Sequence, residues 1–293
     1  MTTAKSTEAK RQSFRDLHRA GCFILPNPWD VGSARYLAHL GFNAIATTSS
    51  GAAWSAGRAD EYLDVGSVLA HLATMTQAVD LPVNADFEDG HADGIEGLIV
   101  NVRRACQTGI AGLSIEDSQT GPVRTVRGFD DSVARMRAAR SAIDADGGGV
   151  LLIGRAEGFV AGRPDLGDVL RRLSAFAEAG ADCLYAPGLT TDDQVAAVVR
   201  AVAPKPVNVL VAMPGFTAAG LAALGVRRIS VGGALARAAW GGFMAAAKEI
   251  AAHGTFDNLA QAANGQELNA LMSDSFAPAP ESVSDALPPN HQP

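Results

Sequence analysis

Cys22-Phe23-Ile24-Leu25-Pro26-Asn27-Pro28-Trp29 is the stretch on which the fold turns. A short apolar run opening an α/β chain is the first strand of one of two architectures, and the residues after it separate them. A doubly wound open sheet places a glycine-rich GxGxxG turn there, so that backbone can approach a pyrophosphate. Two prolines around an asparagine stand in that place instead, which disfavours the open sheet.

Outward from that stretch, seven more strand-like runs follow: Asn43 to Thr47, Pro82 to Asp86, Gly112 to Glu116, Leu151 to Arg155, Cys183 to Ala186, Val207 to Val211 and Arg228 to Gly232. Between them lie stretches of helical periodicity such as Val65 to Ala78, Asp131 to Ile143, Leu166 to Ala179 and Gln194 to Val202, several ended by glycine. Eight strands with intervening helices predict an α/β fold of the (β/α)8 TIM-type barrel class. Thr7 to Ala20 reads as an N-terminal helix over the barrel floor. Ala234 to Ala252 and about Phe256 to Leu271 read as extra C-terminal helices. The first of these is apolar almost all round and must be covered on every side, by its own subunit or by another. Residues 1–273 are expected to form one barrel domain. Residues 274–293 hold five of the 14 prolines and are expected to be a disordered tail.

Composition narrows the function. With 47% hydrophobic and 19% charged residues the chain has ample core, and a net charge of −7 with scattered Lys and Arg excludes a nucleic-acid backbone as partner. No apolar stretch reaches membrane-spanning length, and the polar start shows no signal-peptide core. Cys22, Cys106 and Cys183 match no metal spacing, and an odd, widely spread count suits a reducing cytoplasm. The expectation is a cytoplasmic protein acting on a small anion.

In a barrel of this kind chemistry sits at the C-terminal ends of the strands. Acids crowd there: Asp86, Glu88 and Asp89 after the third run, Glu116 and Asp117 after the fourth, Glu157 after the fifth, and Asp60 and Glu61 beyond the second. Period-two alternation puts Asp86 and Glu88 on one face. Asp86, Glu88 and Glu116 are the expected metal ligands, and oxygen donors without His or Cys specify a hard ion, Mg2+ or Mn2+. Asp89 and Asp117 are instead expected to cap the helices that follow. Arg155 either clamps a substrate carboxylate with its planar fork or forms an ion pair with Glu157 or Glu116. Thr48-Ser49-Ser50-Gly51-Ala52 is a tight turn whose N–H groups could cradle an oxyanion. Gly232-Gly233, at the end of the eighth run, could bind phosphate at the start of a helix and is expected rather to serve close helix packing. Arg124, Tyr185 and Gln119 lie where loops could carry them to a ligand.

Together, Asn27-Pro28-Trp29-Asp30-Val31-Gly32-Ser33-Ala34, Ser50-Gly51, Asp60, Ala85-Asp86-Phe87-Glu88, Ile115-Glu116-Asp117, Arg155 and Ala179-Gly180-Ala181-Asp182 resemble the isocitrate lyase and phosphoenolpyruvate mutase superfamily over roughly Phe14 to Gly254. The resemblance implies a (β/α)8 barrel with Mg2+, a helix eight exchanged between subunits of a dimer or tetramer, and a small 2-oxo or 2-hydroxy acid or a phosphoenolpyruvate relative as substrate. Asp86 then resembles the direct metal ligand, with Asp60, Glu88 and Glu116 holding the ion directly or through water. Ser50, Gly51 and Ala52 match the oxyanion-binding turn and Arg155 the substrate-carboxylate arginine. The chain departs from the lyases, whose Lys-(Lys/Arg)-Cys-Gly-His segment is absent from Glu116 to Thr125, and it lacks the mutase Lys and Asn on the same loop. Asp89-Gly90-His91 replaces the usual Gly-Tyr-Gly.

Without an acid to protonate a departing carbanion, the smaller demand is decarboxylation, because CO2 leaves unprotonated. The expectation is a Mg2+-dependent carbon–carbon lyase or decarboxylase acting through a metal-stabilised pyruvate enolate, with Arg155, Asp60 and Glu116 as its catalytic residues. A phosphorus–carbon mutase is the alternative, and a catalytically silent metabolite-binding barrel the alternative of another class. Two loops, Ser55 to Asp64 and Ser118 to Gly128, are expected to close over the substrate.

Overall fold

Each of the eight expected runs forms a strand, and all eight lie parallel in one sheet. The computed structural model describes residues 5–119 and 124–273, so the tail expected over 274–293 lies outside the described residues. In chain order the elements are α1 (Thr7–Leu17), β1 (Phe23–Leu25), α2 (Val31–His39), β2 (Ile45–Ala46), α3 (Ser49–Ser55), α4 (Val65–Ala78), β3 (Val83–Asp86), α5 (Ile95–Gln107) and β4 (Gly112–Glu116). A hairpin, β5 (Ser118–Gln119) and β6 (Thr125–Val126), precedes α6 (Phe129–Ala145) and β7 (Leu151–Arg155). Then come α7 (Leu166–Glu178), β8 (Cys183–Tyr185), α8 (Asp192–Val202), β9 (Val207–Leu210), α9 (Ala218–Ala223), β10 (Arg228–Ser230) and α10 (Ala234–His253). A 3-10 turn (Asp257–Gln261) and α11 (Gly265–Met272) follow.

The strand order β1-β10-β9-β8-β7-β4-β3-β2 bends almost into a closed barrel. At the seam between β1 and β2 the Ala46 N–H donates to the Pro26 carbonyl at 3.0 Å. Asn27 completes the closure. Its amide donates to the Thr47 carbonyl at 2.9 Å, and its Oδ1 accepts from the Val231 and Gly232 N–H groups, each at 2.9 Å. The stretch after the first strand therefore carries an amide that can bond two neighbouring strand ends at once.

Apolar faces of the helices pack on the outer side chains of the strands; Leu72, Phe87, Leu98, Leu113, Phe176 and Val198 are fully buried there. Each such side chain contributes roughly 1.5–3 kcal/mol if large and apolar. Helix α1 plugs the floor: Phe14 is fully buried beside Gly112, where a Cβ would meet its ring at 2.6 Å, and Arg11 and Arg15 donate to the Ile110, Cys106 and Gly149 carbonyls.

Two expectations change at this level. The single helix read over Phe256 to Leu271 breaks, because Ala262 is extended and Asn264 caps α11, accepting from the Gln266 and Glu267 N–H groups. The turn read at Thr48 to Ala52 is the start of helix α3, with Thr48 as its N-cap.

Candidate active site

Parallel pairing in register lays polar side chains across the barrel interior. Glu116 pairs with Arg155, Arg155 with Tyr185, Tyr185 with Asn208 and Asn208 with Arg228, so one ladder crosses β4, β7, β8, β9 and β10. All of these but Asn208, with Asp60, Asp86, Ser50 and Arg124, line a cavity of about 160 Å³ at the C-terminal side of the sheet. That is below the roughly 300–1,000 Å³ of sites for drug-sized ligands and suits a small polar molecule.

Arg155 is the hub. Its Nη1 donates to Asp86 Oδ1 at 2.6 Å and lies 2.8 Å from Glu116 Oε1, its Nε donates to Glu157 Oε1 at 3.0 Å, and its guanidinium stacks over the Tyr185 ring at 4.8 Å. Burial opposes its charge, but Glu116, Glu157 and Asp86 hold its pKa well above the ordinary value. Asp86 also accepts from the Ser49 N–H at 3.0 Å, which ties the start of α3 to the end of β3. Above the hub, Arg124 donates from Nε to Glu61 at 2.9 Å and from Nη1 to Glu157 at 2.9 Å, with Glu116 at 3.8 Å.

The remaining acids repel one another. Asp60 is pushed up by burial and by Asp86, and Glu88 is pushed up to about 9 by burial, Glu116, Asp86 and Asp60. Glu88 Oε2 is buried without a hydrogen-bond partner among the described residues, on a second, much smaller cavity shared with Asp86, His71 and His91. Oxygen donors, mutual repulsion and an orphaned buried carboxylate oxygen fit a hard divalent cation in donor chemistry. Among the described residues no three of these side chains stand as a ready ligand set, since Arg155 lies between Asp86 and Glu116.

The family model for phosphoenolpyruvate phosphomutase matches residues 14–251, which span every barrel strand. The chain belongs to that family. A solved structure from Burkholderia cenocepacia J2315, a proposed lyase/mutase, is 45% identical with a TM-score of 0.86, over 90% of this chain and 96% of that one. An uncharacterized protein of Mycobacterium tuberculosis is 34% identical over 75% of this chain and 81% of its own length. An oxaloacetate decarboxylase of Paraburkholderia xenovorans is 27% identical over 67% of each.

Within this family member, the cavity brings together Ser50, Asp60, Asp86, Glu116 and Arg155. Glu88 stands apart on the smaller cavity, because β3 ends at Asp86 and Glu88 has φ +47°, so the strand alternation does not reach it. Gly51 and Ala52 sit inside α3. The Gly51 N–H bonds the Thr48 hydroxyl at 3.4 Å and the Ala52 N–H the Thr48 carbonyl at 3.0 Å. A Cβ at Gly51 would meet Trp29 and Thr48 at 2.7 Å, so this glycine lets α3 pack closely. Gly233 serves the same purpose beside Ser50 and Trp54. Asp89 and Asp117 do not cap helices. Asp89 accepts from the His91 N–H at 3.0 Å and pairs with Arg127 at 2.8 Å; Asp117 accepts from the Glu157 N–H at 2.7 Å and pairs with Arg172 at 3.1 Å. Both are buried and hold neighbouring loops together, while Gly94 and Gly128 occupy the N-cap positions of α5 and α6. Arg124 and Tyr185 line the cavity and Gln119 is exposed. Asn84, Ser230 and Arg228 also line it, with Asn208 bonded to the last two. Their signal was polar residues at alternate positions inside the strand runs.

Proposed function

We propose that this protein is a divalent-cation-dependent lyase or decarboxylase that breaks the carbon–carbon bond of a small 2-oxo or 2-hydroxy dicarboxylate. The observation that carries the reading is a small cavity in which an arginine, fixed by three carboxylates, shares the lining with Asp60 and Tyr185. The similarity to an oxaloacetate decarboxylase supports it.

Asp86, with Glu116, Asp60 and Glu88 around it, would hold Mg2+ or Mn2+. When bound, the ion supplies positive charge against the oxygen on which negative charge develops. Arg155 supplies a second positive charge, which Glu157 would still anchor at Nε when Asp86 and Glu116 turn to the ion. Burial pushes the Tyr185 phenol up to about 12, so it stays protonated and can donate to the substrate. In decarboxylation the bond between C3 and the carboxyl carbon breaks, its electron pair passes into the C2–C3 bond to form an enolate, and CO2 departs without a proton. Water then returns a proton to C3. The cation, the cytoplasmic setting and an oligomer with exchanged C-terminal helices belong to the same proposal.

The test is turnover of oxaloacetate, a 2-methylmalate-like acid and phosphonopyruvate, each with Mg2+ and with chelator. Pyruvate release from oxaloacetate that is lost with chelator is the expected result. Turnover of phosphonopyruvate alone would establish the phosphorus–carbon alternative, which the family's own activity favours. Inertness toward all three would leave a metabolite-binding barrel.

A further inference from the structure

We propose that Arg228 forms an anion subsite in the floor of the cavity and takes the second carboxylate of a dicarboxylic substrate. The inference rests on the reading of the site as one for a 2-oxo or 2-hydroxy acid, and adds which end of that acid goes where.

Arg228 opens β10 and is only 2% exposed, yet it lines the same cavity as Arg155 and Ser50. Its Nε donates to Asn208 Oδ1 at 2.9 Å and its Nη1 to Asn84 Oδ1 at 3.3 Å. Asn208 is itself held by the Ser230 hydroxyl, to which its amide donates at 2.9 Å. All of these partners are neutral. The other two arginines of the cavity each meet three carboxylates: Asp86, Glu116 and Glu157 for Arg155, and Glu61, Glu116 and Glu157 for Arg124. Arg228 forms no ion pair among the described residues.

A guanidinium keeps its proton in a protein, so its charge remains when water is stripped away. Burial and the nearby Arg155 both work against that charge. The groups that would oppose them, Cys183 and Tyr185, are themselves raised by burial and stay neutral near pH 7. A buried charge without a counter-ion is costly, and a fork already aligned by two amides suits a planar carboxylate. The acids and Arg155 at the strand ends then hold the 2-oxo or 2-hydroxy acid head, and Arg228 in the interior holds the far carboxylate. A monocarboxylic acid would leave Arg228 unsatisfied, which gives the site a means of discrimination.

Calorimetry in Mg2+ with malate and lactate, which share a 2-hydroxy acid head and differ in the second carboxylate, tests this. The wild-type protein is expected to bind malate at least about tenfold more tightly. Arg228→Met should bring the two acids within about twofold of each other with lactate affinity unchanged, and Arg228→Lys should keep part of the preference. Equal binding of malate and lactate by the wild-type protein overturns the subsite, and that result does not depend on any variant folding. Equal weakening of both acids in Arg228→Met overturns it too, showing a role in holding the barrel. Stabilisation by sulfate or chloride through Arg228 without malate preference also overturns it, in favour of a free inorganic anion. Failure of malate, lactate and oxalate alike to bind would sink the underlying 2-oxo acid reading, whereas lactate or oxalate binding without malate preference sinks the subsite alone.

Discussion

Asp86 accepts from the Ser49 N–H and from Arg155, and it borders both cavities, so its carboxylate joins the main site to the small chamber holding Glu88. Asp86→Ala should lower Mg2+ affinity by at least roughly tenfold, and Glu116→Gln should lower it less. Titration calorimetry gives the order, and unchanged affinity in Asp86→Ala ends the assignment. Much at this scale was legible in the sequence, because strand ends collect chemistry in a barrel and acids at strand ends are visible in a string of letters. Arg228 was not. An arginine at the start of an otherwise apolar run reads as a surface residue until pairing shows it beside Asn208 and inside the barrel. Asp89 and Asp117 were misread for a related reason: an acid before a helix is a cap by frequency, and only the folded loops show Arg127 and Arg172 arriving from other elements.

Helix α1 carries a titration that its fold position dictates. His18, at its C-cap, is buried against Phe14 and Phe23, and its Nδ1 lies 2.8 Å from the Phe14 carbonyl oxygen. Burial and nearby Arg228 push it down to about 3 despite that carbonyl. The folded state therefore prefers the neutral ring. This contribution is fully present above the unfolded value near 6.5 and is lost as pH falls from there toward 3, at up to about 1.4 kcal/mol per pH unit. Denaturant midpoints of the wild-type protein should fall between pH 6.5 and 5 more steeply than those of His18→Gln, and parallel curves would rule this out. A second element-level device is the pairing of Arg124, next to β6, with Glu61 in the segment before α4. It links the two loops read as a lid. Oxalate with Mg2+ is expected to slow hydrogen exchange in residues 56–64, and Arg124→Gln to reduce that protection severalfold. Equal exchange with inhibitor demonstrably bound would mean that these loops do not gate the site.

For the molecule as a whole, α10 poses the question its sequence raised. Its 20 residues include one that is buried, Ala236, while Trp240 is 40% exposed, Phe243 62% and Met244 45%. Of the two covers the apolar pattern allowed, the chain's own barrel supplies little. Apolar grooves run beside the helix, one bordered by Trp54, Arg237 and Trp240 and another by Trp29, Ala239 and Phe243. Gly241 and Gly242 add no bulk between these aromatics, and a Cβ at either would meet nothing within 4 Å among the described residues. A face this apolar and this long is larger than soluble monomers ordinarily leave in water. A second copy presenting the same helix would cover it in the simplest closed arrangement, a two-fold pair. We expect light scattering at micromolar concentration to give a dimer or tetramer rather than a 30.2 kDa monomer. Trp240→Asp should dissociate it without unfolding the barrel, because the side chain is 40% exposed within the subunit and would be desolvated only by a second copy. Circular dichroism confirms the fold of the dissociated variant. A wild-type monomer, or a Trp240→Asp oligomer of unchanged mass, would show that this face has some other cover.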